Sequence, residues 1–270
     1  MKMEILRLAS REAPLDCIAS VVLYNNPPAM IENVISSFLD TKLNVKLYIV
    51  DNSPTPLSLS LEKRPALYHY AGQNLGYGKA HNWSIQRCEP SKYFLILNPD
   101  VIISKGVIEE LSQYLDRNPG VGMICPKVLN QDNTLQYVNK RQPNLTDLFL
   151  RRFFVYDGMF DVLKRRLDHY EMRDIGYKDI HEVPFMTGAF MFCRTHVLKK
   201  VGGFDPQFFM YFEDADLSKR FQNEGYKTVY YPYVNITHLW QRESQKRLIM
   251  ALVFMISGMK YFNKWGWKLY

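Results

Sequence analysis

Three apolar runs rich in β-branched and aromatic residues, each breaking off at a turn signal, constrain this chain more than any other feature. They are Ile18-Ala19-Ser20-Val21-Val22-Leu23-Tyr24, Val45-Lys46-Leu47-Tyr48-Ile49-Val50 and Tyr93-Phe94-Leu95-Ile96-Leu97. They stop at Asn25-Asn26-Pro27-Pro28, Asp51-Asn52-Ser53-Pro54 and Asn98-Pro99-Asp100. Between the first two runs Met30, Val34, Ile35, Phe38 and Leu39 recur at helical spacing, which predicts a β-α-β unit. Tyr68-His69-Tyr70 gives a short third strand, Ala80 to Cys88 a helix, Gly106 to Leu115 another, and Val121 to Pro126 a further strand. Strands alternating with helices predict a doubly wound α/β sheet, mostly parallel, with helices on both faces.

In an open parallel sheet the ligand crevice lies beyond the carboxyl ends of the strands, so the three polar loops are expected to converge although they are far apart in sequence. Turn chemistry alone explains any one of them, because Asn, Asp and Pro are ordinary turn residues; it explains all three together less well. Pattern weakens over residues 130 to 182 apart from a helix through Leu163 and Leu167, and this segment reads as a cap or a membrane-facing insertion. It returns as an apolar run from Val183 to Cys193, a short helix from Thr195 to Val201, two late strands at Thr228 to Tyr231 and Val234 to His238, and a basic amphipathic helix from Ser244 to Phe262.

The stretch Gly202-Gly203-Phe204-Asp205-Pro206 runs through Phe208-Phe209-Met210-Tyr211-Phe212 into Glu213-Asp214-Ala215-Asp216-Leu217. Carboxylates are well placed at a helix start, so capping and first-turn acids account for it in part. A carboxylate leaving an apolar wall also has its pKa raised and becomes a base suited to neutral pH. The segment by itself leaves both roles open.

With 270 residues and 47% apolar composition the chain is long and apolar enough to bury a full core. It has no apolar run of the length that spans a bilayer. Residues 1–16, with Arg7, Arg11, Glu12 and Asp16 scattered through them, read as a leader or edge segment without the core of a signal peptide, so a cytoplasmic location is expected. Cys17, Cys88, Cys125 and Cys193 stand singly in apolar surroundings and read as reduced core residues. Thirty-four basic against 27 acidic residues give a net charge of +7. Much of the excess lies in Arg151-Arg152, Lys164-Arg165-Arg166 and Arg242 to Lys268, interleaved with apolar and aromatic residues. That mixture favours a face resting on lipid head groups over a groove for nucleic acid.

Taken together, Ser20-Val21-Val22-Leu23-Tyr24-Asn25, Val50-Asp51-Asn52-Ser53, Asn74-Leu75-Gly76-Tyr77-Gly78, Leu97-Asn98-Pro99-Asp100-Val101, Thr187-Gly188-Ala189-Phe190-Met191 and Gly203-Phe204-Asp205 through Leu217 resemble the family 2 inverting glycosyltransferases of GT-A fold, and among them the bacterial rhamnosyltransferase-like branch. No single mark is specific; their order and spacing are. The resemblance covers residues 17 to 240 and implies a GT-A, Rossmann-like domain. Its nucleotide-sugar-binding half would be 17–128 and its acceptor-binding and catalytic half 129–240, followed by the helical tail 241–270.

The resemblance also implies roles. Tyr24, Asn25, Asp51, Asn74, Gly76, Gly78, Lys79, Asn98 and Asp100 would bind the nucleotide sugar: Asp51 through base or ribose, the glycines by close approach, Lys79 by charge. Asp100 matches the last Asp of the family's Asp-x-Asp metal motif, whose first Asp is here Asn98. His238 is a candidate second ligand for Mn²⁺ or Mg²⁺, although a lone histidine at a strand end is more often only hydrogen-bonded. Asp214 would be the base and Glu213 its partner, with Asp216 a helix cap, and Thr187, Gly188 and Ala189 would receive the acceptor.

The donor implied is dTDP-L-rhamnose and the acceptor a polyprenyl-diphosphate-linked saccharide in surface polysaccharide synthesis, O-antigen or capsule. UDP-galactofuranose or a UDP-hexose is the alternative donor. A nucleotidyltransferase or nucleotide-binding regulator would not need Glu213-Asp214 behind an aromatic wall, and a nucleic-acid-binding module is favoured by net charge alone. Whether the chain forms oligomers is left open.

Overall fold

The computed structural model describes residues 14–148, 161–239 and 247–269. The elements, in chain order, are β1 (Leu15–Leu23), α1 (Pro28–Leu39), β2 (Val45–Asp51), β3 (Ala66–Tyr70), α2 (Tyr77–Arg87), β4 (Ser91–Leu97), β5 (Val101–Ile103), α3 (Val107–Arg117) and β6 (Val121–Leu129). They continue with α4 (Asp161–Tyr170), β7 (His181–Glu182), β8 (Phe190–Arg194), α5 (Thr195–Lys200), α6 (Glu213–Asn223), β9 (Lys227–His238) and α7 (Arg247–Trp265).

The strands form one sheet in the order β3-β2-β1-β4-β8-β6-β9-β5, with β7 paired to β9. β3, β2, β1, β4, β6 and β9 run one way; β8, β5 and β7 run against them. Mostly parallel is therefore right, and the antiparallel strands lie on the side of the sheet beyond β4. The chain moves outward from β1 to β2 and β3, then returns to the other side of β1 with β4, which places a topological switch point between β1 and β4.

Strands buried on both faces explain the continuous apolar runs. Along β1, Cys17, Ala19, Val21 and Leu23 enter the core layer under α1 and α3, while Ile18 enters the opposite layer with Ile85 of α2, Val197 of α5 and Leu217 of α6. In α1 the buried residues are Ile31, Val34, Ile35 and Phe38, one face of a 3.6-residue period, and Pro28 stands at the first helical position, where its missing N–H costs nothing. All four cysteines are free and buried.

Several boundaries differ from expectation for local reasons. β1 begins at Leu15, inside the segment read as leader, because Asp16 and Cys17 dock on the turn before β2. Only Phe190–Arg194 of the Val183 to Cys193 run is strand; the rest is the loop that carries Thr187-Gly188-Ala189. The two late strands are one, β9, whose register against β6 shifts between Pro126 and Lys127, so a bulge absorbs the break suggested by Pro232. The described parts of 130–182 are packed onto the domain: Tyr170 is fully buried and its carbonyl accepts the N–H of Arg141. Arg151-Arg152 lie outside the described residues, as does Arg242.

Candidate active site

The loops after β1 and β2 meet, and β4 ends beside β1 in parallel register. Asn25, held in the left-handed region at φ 54°, donates its N–H to Ser53 Oγ at 2.9 Å, and Asn52 N–H reaches the carbonyl of Leu23 at 2.8 Å. Tyr24 stands exposed at the lip. Asp51 is fully buried: Oδ1 accepts Ser53 N–H at 2.9 Å, while Oδ2 accepts Leu57 N–H at 3.0 Å and the Tyr68 hydroxyl at 2.5 Å. Burial works to raise its pKa, but these donors outweigh burial and hold it below the usual carboxylate range. In this structure Asp51 therefore shapes the 51–57 loop, a duty prior to the base or ribose contact expected of it.

The glycine loop also has a different first purpose. Asn74 Oδ1 accepts Gly76 N–H at 2.9 Å, and Asn52 Nδ2 donates to Gly76 O at 3.1 Å. A Cβ on Gly76, which sits at φ 80°, would lie 2.3 Å from Phe209 O; one on Gly78 would lie 2.8 Å from Phe204 Cβ. Both glycines admit the aromatic segment before α6, a close approach to protein that calls for glycine on its own. α2 begins at Tyr77, earlier than periodicity predicts, and leaves Lys79 exposed on its first turn.

α6 begins under strain. Tyr211 and Phe212 precede it at φ 70° and 68°, a conformation in which bulky residues are outliers, and Phe212 is the N-cap. The strained turn delivers Glu213 and Asp214 into the crevice. Asp214 Oδ2 accepts Gly188 N–H and Oδ1 accepts Ala215 N–H, each at 3.0 Å. Burial raises the Asp214 pKa, opposed by the charge of Lys140 and by these two N–H groups. Glu213 is buried with Oε2 unpartnered; burial and the neighbouring Asp214 charge push its pKa well up. Two carboxylates side by side with raised pKa values are the arrangement expected of an acid–base site.

Asp216 is not a cap. It is fully buried and accepts Arg220 Nε at 2.7 Å, Lys264 Nζ at 2.7 Å and Trp265 Nε1 at 2.8 Å. The last two donors belong to α7, which thereby docks on α6.

Thr187-Gly188-Ala189 ties the site together. Gly188 N–H holds Asp214, and Ala189 O accepts Asn98 N–H at 3.0 Å, joining the acid pair to the Asn98-Pro99-Asp100 loop. These backbone groups are occupied within the protein. A Cβ on Gly188 would lie 3.2 Å from the Tyr77 hydroxyl, a tight contact that an alanine could meet only by displacing Tyr77.

On the other side, β5 and β9 pair Val101 with His238 and bring Asp100 Oδ1 to 3.3 Å from His238 Nε2. Gln136 Nε2 donates to the His238 carbonyl at 2.8 Å; this orients the amide so that Oε1 faces His238 Nδ1 at 3.0 Å and assigns the ring hydrogen to Nδ1. A neutral ring then points the Nε2 lone pair at Asp100 Oδ1, which is buried and makes no hydrogen bond. Two lone pairs facing each other require a shared proton or a cation between them. The pair thus fits a divalent ion, with carboxylate and imidazole as a donor set suited to Mn²⁺. Among the described residues no group of three or more His, Cys, Asp or Glu side chains could hold a metal, so the remaining ligand positions would fall to substrate oxygens and water.

Tyr77, Gln136 and Lys140 join this site without having been expected there. Tyr77 stood between two glycines already singled out; Gln136 and Lys140 fell in the stretch of weak periodicity and gave no signal.

The fold is similar to that of GalNAc-T7 with UDP, GalNAc and Mn²⁺ (TM-score 0.61, 12% identity, 86% of this chain and 44% of that one) and to the Pyrobaculum calidifontis mannosyltransferase PcManGT with GDP-Man and Mn²⁺ (TM-score 0.57, 14% identity, 86% and 59%). The fold is GT-A-like, and the chain spans less than two thirds of either structure. Residues 69–251 match the family described as Glycosyltransferase like family 2, and the chain belongs to that family. It is 26% identical over 251 residues to the N-acetylglucosaminyl-diphospho-decaprenol L-rhamnosyltransferase of Mycobacterium tuberculosis, covering 83% of this chain and 76% of that protein. To the Escherichia coli rhamnosyltransferase WbbL it is 26% identical over 206 residues, 72% of each.

Proposed function

We propose that this chain is an inverting, metal-dependent rhamnosyltransferase that moves L-rhamnose from dTDP-L-rhamnose to a polyprenyl-diphosphate-linked saccharide in surface polysaccharide synthesis. One observation carries the reading: Asp214, raised in pKa and aimed into the crevice, is joined through Gly188 and Ala189 to the loop bearing Asp100, which faces His238. A base and a cation pair linked by two consecutive residues is what single-displacement transfer from a diphosphate requires. The rhamnosyl donor and the lipid-linked acceptor are taken from the relatives' activities.

In this reading Asp214 accepts the proton of the acceptor hydroxyl as that oxygen attacks from the face opposite the leaving diphosphate, so one base suffices and the anomeric centre inverts. Its two backbone donors fix the carboxylate, and burial keeps it basic enough to work near neutral pH. Glu213, beside it, orients the acceptor. Asp100 and His238 would hold the cation, whose chemistry when bound is Lewis-acid neutralisation of the leaving diphosphate. Asn98, Asp51, Asn25, Tyr24 and Lys79 line the donor half.

The same reading places the protein on the cytoplasmic face of the inner membrane. No described helix is long and apolar enough to cross a membrane. α7 packs one face on the domain through Phe254, Tyr261, Phe262 and Trp265, while Ile249 (72% exposed), Leu252, Ile256 and Met259 form an apolar stripe on its outer face. A lipid surface suits that stripe, with Trp267 and Lys268 beyond it.

The test is nucleoside diphosphate release with Mn²⁺ across a panel of sugar nucleotides. dTDP-rhamnose should exceed UDP-glucose, UDP-GlcNAc, UDP-galactofuranose and GDP-mannose. A preferred UDP- or GDP-sugar overturns the rhamnosyl assignment and leaves the family standing.

A further inference from the structure

The structure assigns Tyr77 as the residue that positions the base: its hydroxyl fixes Gly188, and Gly188 fixes Asp214. This rests on Asp214 being the base. The Tyr77 hydroxyl donates to Gly188 O at 2.6 Å, and Gly188 N–H donates to Asp214 Oδ2 at 3.0 Å. Glycine has the softest backbone of any residue, so a lone N–H donor on a glycine is poorly aimed unless the chain is held on both sides of it. Here the carbonyl that follows it is held by Tyr77 and the one after that, of Ala189, by Asn98 N–H; on the other side Met186 N–H donates to Ser218 Oγ at 3.2 Å.

Tyr77 is itself fixed. Its ring lies edge-on against His81 at 4.5 Å and Phe204 at 5.7 Å, and its N–H donates to Phe209 O at 2.9 Å. His81 is buried and kept neutral, its pKa lowered to about 3 by burial, so this wall does not change charge in the working range. Asn52 holds the turn just before Tyr77 from the donor side through Gly76 O. A continuous path thus runs from the β2 loop through Gly76, Tyr77 and Gly188 to Asp214, linking the donor half to the base in the acceptor half.

Gly188 N–H is one of the groups that lower the Asp214 pKa against burial. Loosening it should raise the apparent pKa of the base and misplace its oxygen. The expected result for Tyr77→Phe, which keeps the ring and removes the hydroxyl, is a kcat lowered about five- to ten-fold, the size of one lost hydrogen bond. Donor KM should be unchanged, and the acid limb of the pH profile should move to higher pH. Independently of any substrate, ¹³C NMR titration of the full chain, with Asp214→Asn to assign the resonance, should give Asp214 a higher midpoint in Tyr77→Phe than in wild type.

Gly188→Ala supplies a second handle. Its Cβ meets the Tyr77 hydroxyl at 3.2 Å, so it should cost more in wild type than in Tyr77→Phe. An unmoved midpoint and acid limb in a folded Tyr77→Phe overturns the inference, as does a loss confined to donor KM or simple additivity of the two substitutions. Near-wild-type turnover in Asp214→Asn overturns the base reading and this inference with it. A dead Asp214→Asn beside a wild-type Tyr77→Phe overturns the Tyr77 role alone.

Discussion

Asp214 and Asp216 leave the same turn of α6 and meet opposite surroundings. Asp214 faces the crevice with backbone N–H groups as its hydrogen-bond donors; Asp216 faces α7 with a guanidinium, an ammonium and an indole on its two oxygens. One carboxylate is left short of compensation, as the proposed base requires; the other is fully compensated and acts as a rivet. The contrast teaches how a helix start carries chemistry under strain. Phe212, left-handed at the N-cap, packs its ring against Phe254, Tyr261 and Phe262 of α7. Asp216 pins the same helix one turn further on. The dock holds the turn that the crevice uses, so stability is concentrated where activity is not.

The comparison breaks most sharply at Asp214. Asp214→Asn should lower kcat by about 10²- to 10⁴-fold while donor affinity is kept, because shape survives and only the proton acceptor is lost. Its melting temperature should hold or rise. The sign follows from burial: a carboxyl whose folded pKa is raised favours its protonated form, so ionisation costs stability above the folded pKa and nothing below the unfolded one. As pH falls through the raised value, activity should fall while the contribution to stability improves. Asp214→Asn should remove that stability trend, which calorimetry across pH checks.

Asp216→Ala should do the reverse. It leaves the Arg220 guanidinium without its carboxylate and the Trp265 indole without its acceptor, while Lys264 keeps Asp205 at 2.6 Å, a change that costs about 3 kcal/mol and about 10 °C in a domain of this size. Below the lowered melting point, residual kcat should far exceed that of Asp214→Asn. Equal loss of activity in folded samples of both variants would erase the distinction between base and rivet.

The Asp100–His238 side extends the contrast to a pair that is neither rivet nor base. Asp100→Ala should abolish the metal-stimulated part of donor binding. Gln136→Leu, which frees the His238 ring, should weaken Mn²⁺ by roughly 10- to 100-fold. Calorimetric titration giving the same donor affinity with and without Mn²⁺ in wild type would remove the cation role and leave Asp100 and His238 a structural pair.

What could be read in the sequence follows the same division. The strand-end loops were legible because turn chemistry is local: Asn25, Asp51 and Asn98 sit where apolar runs stop, and the doubly wound sheet brings those stops together. Glu213-Asp214 was legible because an aromatic wall precedes it. Asp216 was misread as a cap because its partners, Lys264 and Trp265, lie some fifty residues on and meet it only after α7 docks. The glycines were read as open to ligand, since spacing reveals a permissive backbone but not that Phe209, Phe204 and Tyr77 fill the space. Gln136 gave no sign, because its role depends on β6 pairing with β9.

The smallest expected effect concerns the outer face of α7, where the comparison becomes one between the two faces of a single helix. Ile249, Leu252, Ile256 and Met259 repeat at i, i+3, i+7 and i+10 and are all exposed, whereas the docked face meets Phe212 and Asp216. Replacing exposed apolar residues by serine removes no buried contact, so Leu252→Ser with Ile256→Ser should change stability by roughly 0.5 kcal/mol or less per site. Turnover with a short water-soluble acceptor should stay unchanged. Flotation with vesicles containing anionic lipid should separate the variant from wild type, since each buried apolar side chain adds about 1.5–3 kcal/mol to partition. Equal flotation would mean that the stripe is not the lipid contact. Lost activity on the soluble acceptor would mean that the outer face, like the inner one, supports the turn that carries Asp214.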